Sequence, residues 1–344
     1  KKTVRWVVGI VLGVYIGTIV LLNIPNIQQA MSVFVAEELS EVLNTKVMIG
    51  RINIGLLNRI IIDDVLLDDQ SGQEMLKVTR LSAKFDIMPF FKGKISISSV
   101  QLFGFNINLR KETPDSPPNF KFVLDAFASK DTVKKENSLD LRINSILIRR
   151  GRMSYHVLSE EETPGKFNAK HIQLQNIIAN ISLKALSKDS LNLGIKRLSL
   201  DEKASGFSLK KMSLKLVANN KQTNIDNFTI ELPETSLKLD TIHLEYDSLK
   251  AFDRFTEQVH FSFRTLPSQV TLKDISPFVP ILSHFKEPVT LDMEVKGTVD
   301  QLTCSHLEIT TDDRQFRLRG DVSLQDLSHP QDAYVYGTLS ELSA

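Results

Sequence analysis

The chain has 344 residues, 42% of them hydrophobic and 24% charged, with a formal net charge of +1. Near neutrality supplies no bulk attraction to a polyanion, so nucleic acid is not an expected partner. One cysteine, Cys304, cannot form an internal disulfide, which excludes a stapled secreted scaffold without excluding an oxidising compartment.

Lys1, Lys2 and Arg5 precede residues 6–22, an uncharged run close to the ~17-residue lower limit for crossing a hydrocarbon core. The run is longer than the usual apolar part of a signal peptide, and no small-x-small cleavage site follows it. Residues 1–24 are therefore expected to be an uncleaved transmembrane anchor, with Trp6, Val11, Tyr15 and Leu21 in the bilayer. Basic residues on the short N-terminal side place that end in the cytoplasm and the rest of the chain beyond the cytoplasmic membrane.

Residues 25–45 read as an amphipathic helix begun by Pro25, with Ile27, Met31, Phe34, Val35, Leu39, Val42 and Leu43 on one side. Glu37, Glu38 and Glu41 lie elsewhere on it. Interfacial helices usually carry Lys and Arg on the polar face, so this one is expected to pack on the first strands instead.

From residue 46 the period changes to two, the mark of strands with one apolar face. Residues 46–112 give a first block of strands, with a polar turn at Asp68-Asp69-Gln70-Ser71-Gly72. Neighbours on a strand point to opposite faces, so the acidic pairs Asp63-Asp64 and Asp68-Asp69 read as turn and rim residues, and no metal site is expected. In residues 93–111, Ile95 and Ile97 alternate with serines, and Val100 and Leu102 follow a one-residue slip at Ser98-Ser99. Phe105, Ile107 and Leu109 then alternate with asparagines. Without correction such a slip would throw the second apolar set onto the other face, so a bulge near Ser99 is predicted.

Residues 113–137 form the clearest interruption, a Pro-rich loop in which Phe120, Val123, Leu124 and Phe127 are spaced as one face of a short helix. Strands resume over 138–344, each usually slipping once near its middle. Between 171 and 246 the turns are short and no long helix intervenes, so antiparallel neighbours are expected and a βαβ architecture is not. A helical pause is expected at 249–255, a strand at 259–266, and a second short helix at 275–285 punctuated by Pro277 and Pro280. The chain stops in a strand-like run at 334–339 and reads as a fragment of a longer protein.

Short motifs for hydrolysis, phosphate cradling and zinc are absent from the sequence, and the seven histidines stand singly, each read as a solvated residue. No enzyme activity and no cofactor is expected. What needs an explanation is the apolar face, which a second sheet, closure into a barrel, or an apolar ligand could cover.

The order of parts resembles the AsmA-like family, and in particular its TamB branch. The likeness rests on the anchor, the apolar helix, and then VMIGRINIGLLNRIIIDDVLLDDQSGQEMLKVTRLSAKFDIMPFFKGKISISSVQLFGFNINLRK, with INSILIRRGRMSYH further on. From about His171 only the style of the strands is similar. The resemblance implies a mainly β protein with an N-terminal transmembrane helix, an elongated, curled antiparallel sheet forming a hydrophobic trough, and a few short helices. It further implies a single-pass inner-membrane location with the bulk of the chain in the periplasm, and phospholipid as cargo. A TamA-like outer-membrane barrel would be engaged through a C-terminal region not present here. The groove would be lined by Ile52, Ile54, Ile95, Ile97, Val100, Leu102, Phe105, Ile107, Leu109, Ile143, Leu193, Ile230 and Leu239. Two other roles remain beside lipid conduction: assembly of outer-membrane proteins by strand pairing, and a structural tether.

Overall fold

The computed structural model describes residues 2–55, 58–86, 97–128, 143–186, 190–311, 315–327 and 332–343. Strands account for 56% of the chain and helices for 20%, so the fold is mainly β. Two compact units are distinguished: residues 1–162 with 169–177, and residues 163–168 with 178–344.

The first unit opens with helices α1 (Lys2–Leu22) and α2 (Pro25–Leu43). Proline is tolerated at the start of α2 because the N–H it lacks would have no helical partner there. Asn44 ends the helix in the left-handed conformation (φ 48°), its N–H returning to the carbonyls of Ser40 and Glu41. Among the described residues no single helix is long and apolar enough to cross a membrane. Residues 9–22 and 25–43 satisfy that test only as a pair bent by 71°. The expected single anchor over residues 1–24 is corrected to that extent.

The face of α2 also differs from expectation. It does lie on the first strand, but the buried side chains are Gln28, Ser32 and Leu43, while Phe34, Leu39 and Val42 are exposed. Gln28 Nε2 donates to the side-chain oxygens of Asn23 (3.0 Å) and Asn53 (2.6 Å), and Asn23 Nδ2 donates to the Ile54 carbonyl at 2.7 Å. A polar seam, satisfied across the interface, thus shares the packed side of the helix with half-buried Ile27, Met31 and Val35 and with Leu43.

Four strands follow: β1 (Val47–Gly55), β2 (Arg59–Asp68), β3 (Glu74–Phe85) and β4 (Ile97–Lys111), paired antiparallel in sequence order. In β4, Ser99 is opposite Lys84 and Ile97 is opposite Phe85, so Ser98 is an extra residue. That is the bulge the slip at Ser98-Ser99 predicts. Next come α3 (Lys121–Ala128) and β5 (Ile143–Val157). Strand β5 pairs parallel to β4, which corrects the all-antiparallel expectation. A parallel neighbour needs a long crossover, and residues 112–142 with α3 supply one. Helix α3 caps the end of the sheet: Phe120, Phe122, Val123 and Ala126 pack on Leu43, Val47, Leu67 and Met75. Leu124, expected on that inner face, is exposed; nothing is described of the Phe127 side chain.

Strand β6 (His171–Leu186) contains the boundary between the units. In the second unit, β7 (Ser190–Glu202), β8 (Ser208–Asn219) and β9 (Gln222–Glu231) are antiparallel neighbours. After β9 the chain is interrupted at Pro233 and again at Asp240, giving the short strands β10 (Ser236–Lys238) and β11 (Ile242–Glu245), both of which pair with β9. The pause at 249–255 is a 3-10 turn, Leu249–Arg254, continued by α4 (Phe255–Gln258). Then come β12 (His260–Arg264) and β13 (Ser268–Val270). The expected helix at 275–285 is instead two 3-10 turns, Leu272–Ile275 and Pro280–His284, since each proline removes a helical donor. Strands β14 (Val289–Gly297), β15 (Gln301–Thr311), β16 (Arg317–Gln325) and β17 (Tyr334–Ser343) complete an antiparallel meander.

Candidate functional site

Residues directly opposite on a ladder point to the same side of the sheet, and here apolar residues meet apolar residues strand after strand. In the first unit Ile54, Ile60, Ala83, Val100 and Ile146 form one transverse row, and Ile52, Ile62, Leu81, Leu102 and Ile148 the next. Three residues further on, Ile49, Val65, Val78 and Phe105 form a third row, and Val47, Leu67, Leu76, Ile107 and Met153 a fourth. Leu109 is opposite Tyr155, and Ile97 opposite Phe85.

Between the second and third rows runs a line without paired residues, through Gly50, Asp64, Thr79 and Gly104. Along this line Asp64 (φ 55°), Gly104 (φ 64°), Arg150 (φ 55°) and, on β6, Asn176 (φ 54°) adopt the left-handed conformation. A left-handed residue resets the alternation of a strand, and in each strand the apolar positions change phase here, as from Leu102 to Phe105. Neighbouring side chains press against the glycines of the crease. A Cβ on Gly104 would lie 2.7 Å from Thr79 Oγ1, and one on Gly151 would lie 2.3 Å from the Phe105 ring. Shallow cavities of about 420 and 640 Å³ lie along this crease, the first beside Phe105 and Gly151, the second beside Leu102, Phe103 and Leu147.

The second unit repeats the rows. Leu193, Leu216, Ile225 and Ile242 form one, and Leu198, Met212, Ile230 and Leu237 another. Val295, Cys304 and Val322 form a third, and Leu291, Ile309, Leu318 and Leu342 a fourth. Leu239 is buried and bridges to Thr265. Of the residues expected to line a groove, Ile52, Phe105 and Leu239 are buried; Ile54, Ile97, Val100, Leu102, Ile107, Leu109, Leu193 and Ile230 keep part of their surface open. Ile95 lies outside the described residues, and of Ile143 only the backbone is described.

The opposite side is polar. Arg51, Asp63 and Arg80 share a row, with Arg80 Nε donating to Asp63 at 2.6 Å, and the Arg150 guanidinium stands 5.1 Å over the Phe103 ring. In the second unit Glu308 receives Arg317 and Arg319, and those hydrogen bonds hold its carboxyl below the usual range. At the β2–β3 turn, burial acts to raise the Asp69 carboxyl. Hydrogen bonds from Ser71, Gln73 and Asn119 outweigh it and leave the group below its ordinary value. Asp69 also pairs with Arg110 at 2.7 Å, which joins that turn to β4. This explains the acidic turn residue without a cation. Burial pushes the Cys304 thiol up, disfavouring the nucleophilic thiolate.

The apolar rows are only partly covered: Ile54, Val100, Leu102, Ile107, Leu193 and Ile230 all keep some surface open. Helix α1 presents Trp6, Ile10, Val11, Val14, Val20 and Leu21 to solvent, with Tyr15 partly covered. No protein family, curated protein or solved structure matches the chain.

One grouping escaped the reading of the sequence. His156 and His171 are not solitary solvated residues: their Nδ1 atoms lie 3.0 Å apart, and His171 is 6% exposed. The only hint in the sequence is that they flank a loop that returns β6 beside β5.

Proposed function

We propose that this chain is a membrane-anchored lipid conduit, in which acyl chains lie along the apolar rows while headgroups stay at the open rim. The observation that carries the reading is the alignment of partly exposed apolar side chains into rows that continue on both sides of the crease. Each methylene kept from water is worth about 0.8 kcal/mol, so a path that covers an acyl chain throughout removes most of the barrier to leaving a bilayer. No reacting group is required, and movement follows a gradient or a partner. The exposed apolar surface of α1, with Phe34 and Val42 on α2, supports attachment to a membrane. With the likeness to the AsmA-like family, this favours an inner-membrane anchor, a periplasmic location, phospholipid as cargo and a TamA-like barrel as partner.

A second reading, assembly of outer-membrane proteins by strand addition, is favoured by one feature. Among the described residues β17 is paired only with β16, and it exposes Tyr334, Val335, Tyr336, Leu339 and Leu342.

Photo-crosslinking residues placed at Leu102, Ile107 and Leu193 of the full chain in cells distinguish the two. Phospholipid adducts at all three positions are expected. Protein adducts alone, concentrated at a β17 position such as Tyr336, would instead support strand addition.

A further inference from the structure

At the connection between β5 and β6, His156, Glu162 and His171 each bring a ligand atom within 4.8 Å of the others. The backbone sets this up. The Val157 N–H donates to the Lys170 carbonyl at 2.9 Å and the Glu160 N–H to the Val157 carbonyl at 3.0 Å, so the chain turns out of β5 and returns beside it. His156 and His171 thereby face each other. Their rings are 5.3 Å apart and tilted by 52°, converging through one nitrogen each rather than stacking.

The tautomers follow from the partners. His171 Nε2 lies 2.9 Å from the Glu160 carbonyl oxygen. A carbonyl only accepts, so Nε2 carries the proton and Nδ1 of neutral His171 presents a lone pair. That lone pair receives a proton from Nδ1 of neutral His156, 3.0 Å away. Moving the His156 proton to its own Nε2 leaves two lone pairs aimed at one point, with no net proton lost.

Two nitrogens bound to a tetrahedral zinc ion at about 2.05 Å stand roughly 3.3 Å apart. The observed separation therefore needs to open by only a few tenths of an ångström. Glu162 Oε1 is 4.0 Å from His156 Nδ1 on an exposed side chain that can swing inward. The hydrogen bond from His171 to a backbone carbonyl is the outer contact that orients a metal-bound imidazole. Lys170 braces the carbonyl-bearing residue, its Nζ 2.7 Å from Glu160 Oε2.

We propose that His156, His171 and Glu162 bind a divalent metal ion of the zinc class, with water as a fourth ligand. Two imidazoles and one carboxylate suit such an ion better than Mg²⁺ or Ca²⁺, which prefer oxygen throughout. The ion staples the loop after β5 to the start of β6.

The test is calorimetric titration of the full chain in detergent micelles with ZnCl₂ after chelator treatment, together with the visible absorption of the Co²⁺-loaded protein. One ion per chain is expected, with the d–d bands of a tetrahedral site. His156→Ala and His171→Asn should abolish binding, and Glu162→Gln should weaken it by about tenfold. His243→Ala serves as the control, since His243 contacts Asn224 and Glu245 away from this loop, and it should bind normally. Circular dichroism checks that each variant folds. Wild-type protein that binds no zinc, or binding that survives in folded His156→Ala and His171→Asn, would overturn the assignment.

Discussion

The two units keep their apolar rows continuous by different means. Along the crease of the first unit the slips are paired, whereas Ser98 on β4 is an unshared bulge near the end of its ladder. From Ile49 to Ile52 on β1 and from Val65 to Ile62 on β2 the same number of residues is passed over, so the register across the crease is unchanged. In the second unit the slips of the β8–β9, β14–β15, β15–β16 and β16–β17 pairs are taken by one strand only. On β14, Val289, Leu291, Met293 and Val295 alternate without interruption, while β15 inserts His306 (φ 55°) between Cys304 and Leu307 against both of its neighbours. Likewise Met212, Leu214 and Leu216 run unbroken on β8, and β9 inserts Asn227 (φ 53°). A slip in the hydrophobic period is thus positional information: where neighbours slip together a crease results, and where one slips alone a bulge does.

The largest effect should come from breaking the phase that an unshared slip maintains. Deleting Ser305 together with His306 takes out one residue more than the slip and turns either Leu302 and Cys304 or Leu307 and Ile309 to the polar side. We expect a loss exceeding about 4 kcal/mol, seen as early urea unfolding and protease cleavage within β14–β17 while strands β1–β4 stay protected. Retained protection of β15 would mean that the bulge does not set the register. A smaller effect is expected from Gly104→Val at the shared crease. Its Cβ would stand 2.7 Å from Thr79 Oγ1 at a φ of 64°, where a branched residue is strained. A loss of about 2–3 kcal/mol is expected, and Thr79→Ala should recover part of it in a double-mutant cycle.

Much of this was legible in the sequence because a one-sided strand writes its burial into every second residue. The extra residue at Ser98, the polar turn at Asp69 and the helix that caps the sheet all follow from that local code. Three features did not. The parallel partnership of β4 and β5 depends on which way a long connection returns, and no short-range pattern encodes it. The buried seam of α2 consists of Gln28 and Ser32, which become favourable only once Asn23 and Asn53 stand opposite. His156 and His171 meet only because the chain folds back between them, the Val157 N–H bonding to the Lys170 carbonyl. The apolar rows themselves were half legible: the alternation identifies their members, whereas of the left-handed residues that keep them aligned Arg150 gives no warning, and Asp64 and His306, though of types enriched at φ > 0, are not set apart from the chain's other Asp and His.

The smallest predicted difference concerns acid. Asp69 in the first unit and Glu308 in the second both have carboxyls held below their ordinary range. A carboxyl lowered on folding adds stability that is complete above its unfolded pKa, about 4, and is lost as pH falls through the folded value. Asp69 is 2% exposed and accepts hydrogen bonds from Ser71, Gln73 and Asn119 besides pairing with Arg110. Glu308 keeps about a quarter of its side-chain surface open, so solvent screens its two arginines. Acidification from pH 6 to pH 3 should therefore weaken the β2–β3 end of the first unit more than the β15–β16 ladder. Asp69→Asn should remove about 1–2 kcal/mol of that acid-sensitive stability, and Glu308→Gln well under about 1 kcal/mol. Urea titrations of the two variants at both pH values, followed by hydrogen exchange, measure the comparison. Equal acid sensitivity of the two variants would show that the buried turn is no more dependent on its carboxylate than the exposed ladder.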